Sequence, residues 1–116
     1  MEVNMPEYYD PCFYGTDQYW KMPYFGEFGY TDSVKHFCTE YEAYWTLDVI
    51  ASYYKELKKH PFLVITFDVA DSRCVFDARE DTGRKAVCMQ NIEYTDLKVS
   101  IKLYMTNGIL MFPSDY

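Results

Sequence analysis

The residues able to do chemistry are few, and their spacing does not suit it. His36 has acids at helical spacing only in Asp32 and Glu40, and His60 stands directly before Pro61. Neither offers the neighbouring nucleophile and orienting acid that a general base works with, so both read as surface residues. The cysteines are Cys12, Cys38, Cys74 and Cys88, with no two closer than 14 positions. Zinc knuckles and redox pairs need cysteines a few residues apart, which this spacing excludes. Cys38, Cys74 and Cys88 fall in apolar patterns and are expected as buried, reduced thiols.

Asp68, Asp71 and Asp77 flank a predicted hairpin but lack the alternate-residue spacing of a calcium loop, so they read as a solvated turn. Lys55, Lys58 and Lys59 form the one basic cluster, placed where the negative end of a helix dipole favours cations. No HExxH, GxSxG, Walker or GxGxxG pattern occurs, and Glu80-Asp81-Thr82-Gly83-Arg84 has too few glycines to cradle a phosphate. The expectation is therefore a protein that is not an enzyme, with no cofactor and no metal. A paired-carboxylate hydrolase assembled from distant residues has no positive support.

Charge and aromatic content are more informative. The chain has 116 residues, 18 Asp+Glu against 11 Lys+Arg, and a net charge of −7. Direct nucleic-acid binding, which relies on cations neutralising phosphates, is disfavoured. The whole surplus lies in residues 1–54, with nine acids against Lys21 and Lys35, and the same half holds ten of the thirteen tyrosines and both tryptophans. Tyrosine supplies large contact area at low entropic cost. The candidate partner-binding surface is Asp17, Tyr19, Trp20, Glu27, Tyr30, Asp32, Glu40, Tyr41, Glu42 and Asp48, facing a basic protein. The plainer alternative has the acids solvating the surface while the tyrosines fill a small core.

These residues must be positioned by an α+β domain over residues 1–116. No apolar run reaches the ~18 residues needed to cross a bilayer, and residues 1–7 lack a signal peptide's basic flank, so a cytoplasmic protein is expected. Residues 1–30, with three prolines and three glycines among dense aromatics, predict an irregular arm with a short strand near Gln18 to Met22. Thr31 or Asp32 caps a short helix to about Cys38. Thr39-Glu40-Tyr41-Glu42 fits a capping box for a second helix, which Pro61 stops. Within it Ala43, Leu47, Ile50, Tyr54 and Leu57 trace a stripe that a helix lays on a sheet. Residues 61–116 then alternate at period two and predict a meander of about five antiparallel strands. Turns are expected at Asp71-Ser72, Arg79 to Gly83 and Asn107-Gly108, the last placing Met105 opposite Leu110 and Leu103 opposite Phe112.

Gly15-Thr16-Asp17-Gln18-Tyr19-Trp20-Lys21, Tyr30-Thr31-Asp32-Ser33-Val34-Lys35, Ala43 to Tyr53, and Ile101-Lys102-Leu103-Tyr104 through Phe112-Pro113-Ser114-Asp115-Tyr116 resemble a small family known only as a domain of unknown function, encoded by bacteria and their phages. The resemblance runs from about Gly15 to the C-terminus. It implies no activity and transfers no site residue; it implies a mobile-genome context, where small acidic proteins act on host machinery. The leading expectation is thus a non-catalytic module that docks on a basic host protein by nucleic-acid mimicry, in its sharpest form an anti-CRISPR-like inhibitor of a nucleic-acid-dependent defence enzyme. The alternatives are a small enzyme or ligand-binding domain with a pocket between arm and sheet, and a homodimer through a sheet edge or aromatic patch.

Overall fold

From residue 62 onward, apolar side chains at every second position give a strand one face to bury, and this alternation lays out the sheet. A computed structural model describes residues 19–21, 28–81 and 84–116. Its elements run β1 (Tyr19–Lys21), β2 (Gly29–Thr31), α1 (Asp32–Tyr41), α2 (Tyr44–Leu57), β3 (Phe62–Ala70), β4 (Arg73–Arg79), β5 (Ala86–Ile92), β6 (Ile101–Thr106), β7 (Ile109–Met111) and a closing 3-10 turn, Pro113–Asp115. Among the described residues the strands form one sheet in the order β1-β2-β7-β6-β3-β4-β5. All neighbours are antiparallel except β2 and β7, which run parallel.

β3 sits between β4 and β6, so its apolar row is flanked on both sides. Ile65 pairs with Ala78 and Leu103, and Phe67 with Phe76 and Ile101; all six are buried. The helices lie on this face. The predicted stripe Ala43, Leu47, Ile50, Tyr54 and Leu57 is buried throughout, Trp45 meets Phe67 edge-on at 5.8 Å, and Tyr53 stacks on Phe76 at 5.4 Å. The chain is thus α+β, with the longer helix on one sheet face. The opposite face, carrying Val64, Thr66 and Lys102, is half-buried.

Both expected two-residue turns form, and their backbone explains the residues chosen. Asp71 and Ser72 have φ of 54° and 62°, Asn107 and Gly108 of 54° and 73°, the left-handed pairs that match the twist of a hairpin. Met105 pairs with Leu110 as predicted, and Phe112 falls just beyond β7.

Three features depart from the sequence reading. The capping box at Thr39 does not form: α1 runs on through Thr39 to Tyr41, whose ring packs on Phe37 one turn back at 4.9 Å. α2 begins at Tyr44 with Ala43 as its cap, and the Thr46 hydroxyl donates to the Ala43 carbonyl at 2.7 Å. Secondly, β6 pairs with β3 and not with β5, so the meander is broken after β5. Ile101, Leu103 and Met105 complete the buried row of β3, whereas Met89, Gln90 and Asn91 leave β5 suited to an edge. Thirdly, the arm contributes two strands to the sheet; β1 lies where a strand was expected, and β2 was not anticipated. Apart from Phe28, which is buried against Tyr54, the rest of the arm lies outside the described residues.

The chain's two ends meet at the start of α1. Thr31 caps the helix, its hydroxyl accepting from the Val34 amide. Asp115 Oδ2 accepts from Thr31 Oγ1 at 2.8 Å, from Ser33 Oγ, and from the Phe112 amide at 3.1 Å. A carboxylate there also faces the positive end of the helix dipole. Its other oxygen, Oδ1, is buried without a partner among the described residues, so the bonds to Oδ2 must offset that cost. Asp115→Ala should therefore lower unfolding free energy by about 2 kcal/mol, read as a lower urea midpoint with unchanged slope. Asp115→Asn should lose less.

Candidate functional site

The acids and rings singled out in the sequence that lie among the described residues take different places in the fold. Asp17 and Glu27 lie outside the described residues. Tyr19 and Trp20 are in β1, where their backbones pair with Thr31 and Tyr30. Tyr30 is buried under the helices at 5% exposure, so its ring belongs to the core and not to a recognition surface; burial pushes its phenol above the ordinary value, with Tyr44 and Cys38 adding to the rise. Asp32 is half-buried in the first turn of α1, about 15 Å along a ten-residue helix from the acids at its other end. What the fold does bring together is Glu40, Tyr41 and Glu42 at the end of α1 with Tyr44 and Asp48 on the outward face of α2, all exposed.

At this helix junction a cleft of about 270 Å³ opens toward the connection between β5 and β6. Tyr41, Glu42 and Trp45 line one side; Tyr94 and Asp96 line the other, with Ile92 and Leu97 adding apolar surface. Its charged lining is two carboxylates and no base. Tyr94, 70% exposed, donates its hydroxyl to Asp96 Oδ1 at 2.7 Å, and that bond together with the carboxylate's charge raises the phenol above its ordinary value. The bond engages Asp96 through Oδ1. The connection itself is anchored: the Thr95 amide donates to the Ser72 carbonyl at 2.8 Å, and Thr95 Oγ1 accepts from the Leu97 amide at 3.0 Å.

Glu42 occupies the one strained position on this rim. It ends α1 in the left-handed region at φ 52°, where glycine is the usual residue, and its amide donates to the Cys38 carbonyl. A non-glycine residue in this region costs about 1 kcal/mol relative to glycine. Thr39 and Tyr44 tie the two helices across this corner, hydroxyl to hydroxyl at 2.9 Å.

The remaining reactive groups are elsewhere. His36 pairs with Glu40 at 3.1 Å one turn along α1, and His60 Nδ1 meets Glu80 at 2.7 Å beside the sheet. Asp77, buried on the sheet face away from the helices, holds Arg79 by two hydrogen bonds of 2.7 and 2.8 Å. Among the described residues no group of three or more His, Cys, Asp or Glu is placed to hold a metal ion, and no helix is long and apolar enough to cross a membrane. Cys38 and Cys74 are buried free thiols and Cys88 is half-buried.

Sequence reasoning found Tyr41 and Glu42 but missed the facing wall. Tyr94 and Asp96 sit in a stretch without helical or strand periodicity, and only the same coincidence of ring and acid noted in the N-terminal half would have marked them. Trp45 was read as widening the core stripe; it does pack on Phe67, and its other edge lines the cleft. No expected pocket between arm and sheet can be assigned, since most of the arm lies outside the described residues.

Residues 11–116 match the model of a family of unknown function, DUF6876, and the chain belongs to that family, the match starting four residues before the resemblance read from the sequence. No curated protein and no solved structure matches the chain.

Two outcomes follow from this geometry. Glu42→Gly should raise unfolding free energy by about 1 kcal/mol in urea titrations by relieving the left-handed backbone. Burial pushes the Cys38 thiol up to about 12, against a smaller lowering by its hydrogen bond with Thr46, and the Cys74 thiol up to about 11, with Asp68 adding to the rise. A raised thiol pKa means less thiolate at pH 8, so iodoacetamide should leave both unmodified in the folded protein and label both in urea, as read by peptide mass spectrometry.

Proposed function

We propose that the protein is a binding module whose acid-and-ring cleft receives a cationic side chain, arginine above all, from the basic surface of a partner protein. The observation that carries this reading is the convergence of Tyr41, Trp45 and Tyr94 with Glu42 and Asp96 around one opening. A guanidinium stacks on an aromatic face while donating paired hydrogen bonds to a carboxylate, and this lining offers both. Glu40 and Asp48, exposed on the same two helices, add to the negative field that steers a basic partner in.

Grooves rich in arginine and lysine are what nucleic-acid-dependent enzymes present to phosphates, which makes such an enzyme the partner class we favour. On that view the carboxylates stand in for phosphates and the rings for bases. The mobile-genome context implied by the resemblance makes inhibition of a defence enzyme the sharpest form of the proposal. The chemistry asked of the protein is recognition, with no bond made or broken.

The test uses a short arginine-containing peptide and its citrulline counterpart, followed through the Trp45 indole and Tyr94 ring resonances by NMR. The arginine peptide should shift both resonances saturably, with the effect weakened about tenfold by Glu42→Lys or Asp96→Lys and screened by 1 M salt. Equal shifts with citrulline, or no loss on charge reversal, would remove the electrostatic basis of the reading.

A further inference from the structure

The two edges of the sheet are protected very differently. β1 is three residues long and includes Lys21, and both features discourage another strand from adding on. β5 is seven residues long, Ala-Val-Cys-Met-Gln-Asn-Ile, with neither a charge nor a proline, and no strand lies beyond it among the described residues. Its ladder to β4 has one register shift, at the Arg79–Ala86 end, and is regular from Cys88 to Ile92. Met89 at its centre is 54% exposed. An open edge of this length offers a row of backbone donors and acceptors to an incoming strand.

The flanks of β5 indicate which strand fits. Lys85 precedes the strand and Glu93 follows it, each four residues from Met89; both are exposed, and neither side chain forms an ion pair among the described residues. Antiparallel pairing of β5 with itself, on a two-fold axis through Met89, brings Lys85 of each copy, just past the irregularity at Val87, alongside Glu93 of the other at the same end of the ladder. The centre on Met89 also keeps equivalent faces together, so the helix layers of the two copies lie on one side of a continuous sheet. For a chain of net charge −7, this locally neutral and self-complementary segment is where two copies can approach without repulsion.

We propose that β5 is a homodimerisation edge, the partner being a second copy of this chain paired antiparallel about Met89. The interface is isologous, as a closed two-fold dimer requires. It is independent of the cleft and of any partner docked there.

The experiment is sedimentation velocity over a concentration series, with circular dichroism to confirm that each variant folds. The wild-type chain should sediment as a dimer that dissociates on dilution. Lys85→Glu puts two glutamates face to face at both ends of the paired strands, and Glu93→Lys does the same with lysines, so each variant alone should dimerise about tenfold or more weakly. Mixed in equal amounts they should recover wild-type affinity. In the mixed dimer the two substituted positions face each other with opposite charges, the acid now at position 85 of one copy against the base now at position 93 of the other, while the second pair stays native. A wild-type chain that is monomeric throughout the series overturns the proposal. So do single variants that dimerise as tightly alone as when mixed, because the interface is then elsewhere.

Discussion

Everything at the helix layer hangs on the seating of α1, and that seating is fixed by a carboxylate eighty-odd residues away in sequence. Asp115 accepts from the hydroxyls of Thr31 and Ser33 at the first turn of the helix and from the Phe112 amide behind it. Hydrogen bonds to a partly buried charged group are worth more than neutral ones and tolerate little displacement. With its first turn held, α1 can deliver Tyr41 and Glu42 to one place ten residues on. The edge contact of Phe37 on Phe112, at 5.9 Å between centroids, adds an apolar brace to the same joint. The cleft is therefore a consequence of the C-terminal turn as much as of the helices that line it.

Sequence reasoning reached the α+β architecture because two periods were unambiguous. The stripe from Ala43 to Leu57 could only be a helix face, and the alternation around Ile65 and Leu103 could only be strand. Positive-φ turns were legible because Asn107-Gly108 names its own geometry. The missing parts share one cause, which is that they depend on long-range pairing. β2 is three residues long and is made a strand by β7, and the placement of β6 beside β3 depends on a fit between two buried rows. The capping box at Thr39 was a sound local signal that did not form, since α1 continues one turn to set Tyr41 on Phe37.

The site followed the same division. Tyr41 and Glu42 stood out because acid and ring were adjacent in the chain, whereas Tyr94 and Asp96 join them only through the fold. The surplus of negative charge in the first half does not translate into one broad acidic face among the described residues. Asp32 and Glu42 are at opposite ends of a helix, and Tyr30 is sealed beneath it. What remains is smaller and more specific: a single opening with carboxylates on both walls. That arrangement favours capture of one cationic group over general attraction to a positive surface.

The parallel pairing of β2 with β7 sets an order of events during synthesis. Gly29 is registered with Ile109, eighty residues later, so β2 has no neighbour on its β7 side until that later segment has been made. The β3–β4–β5 hairpins and the β1–β2 pair, whose partners are local, can assemble while translation continues; the joining of β2 to β7 must wait. Tyr30, sealed in the finished core, belongs to the strand whose β7 neighbour is made last.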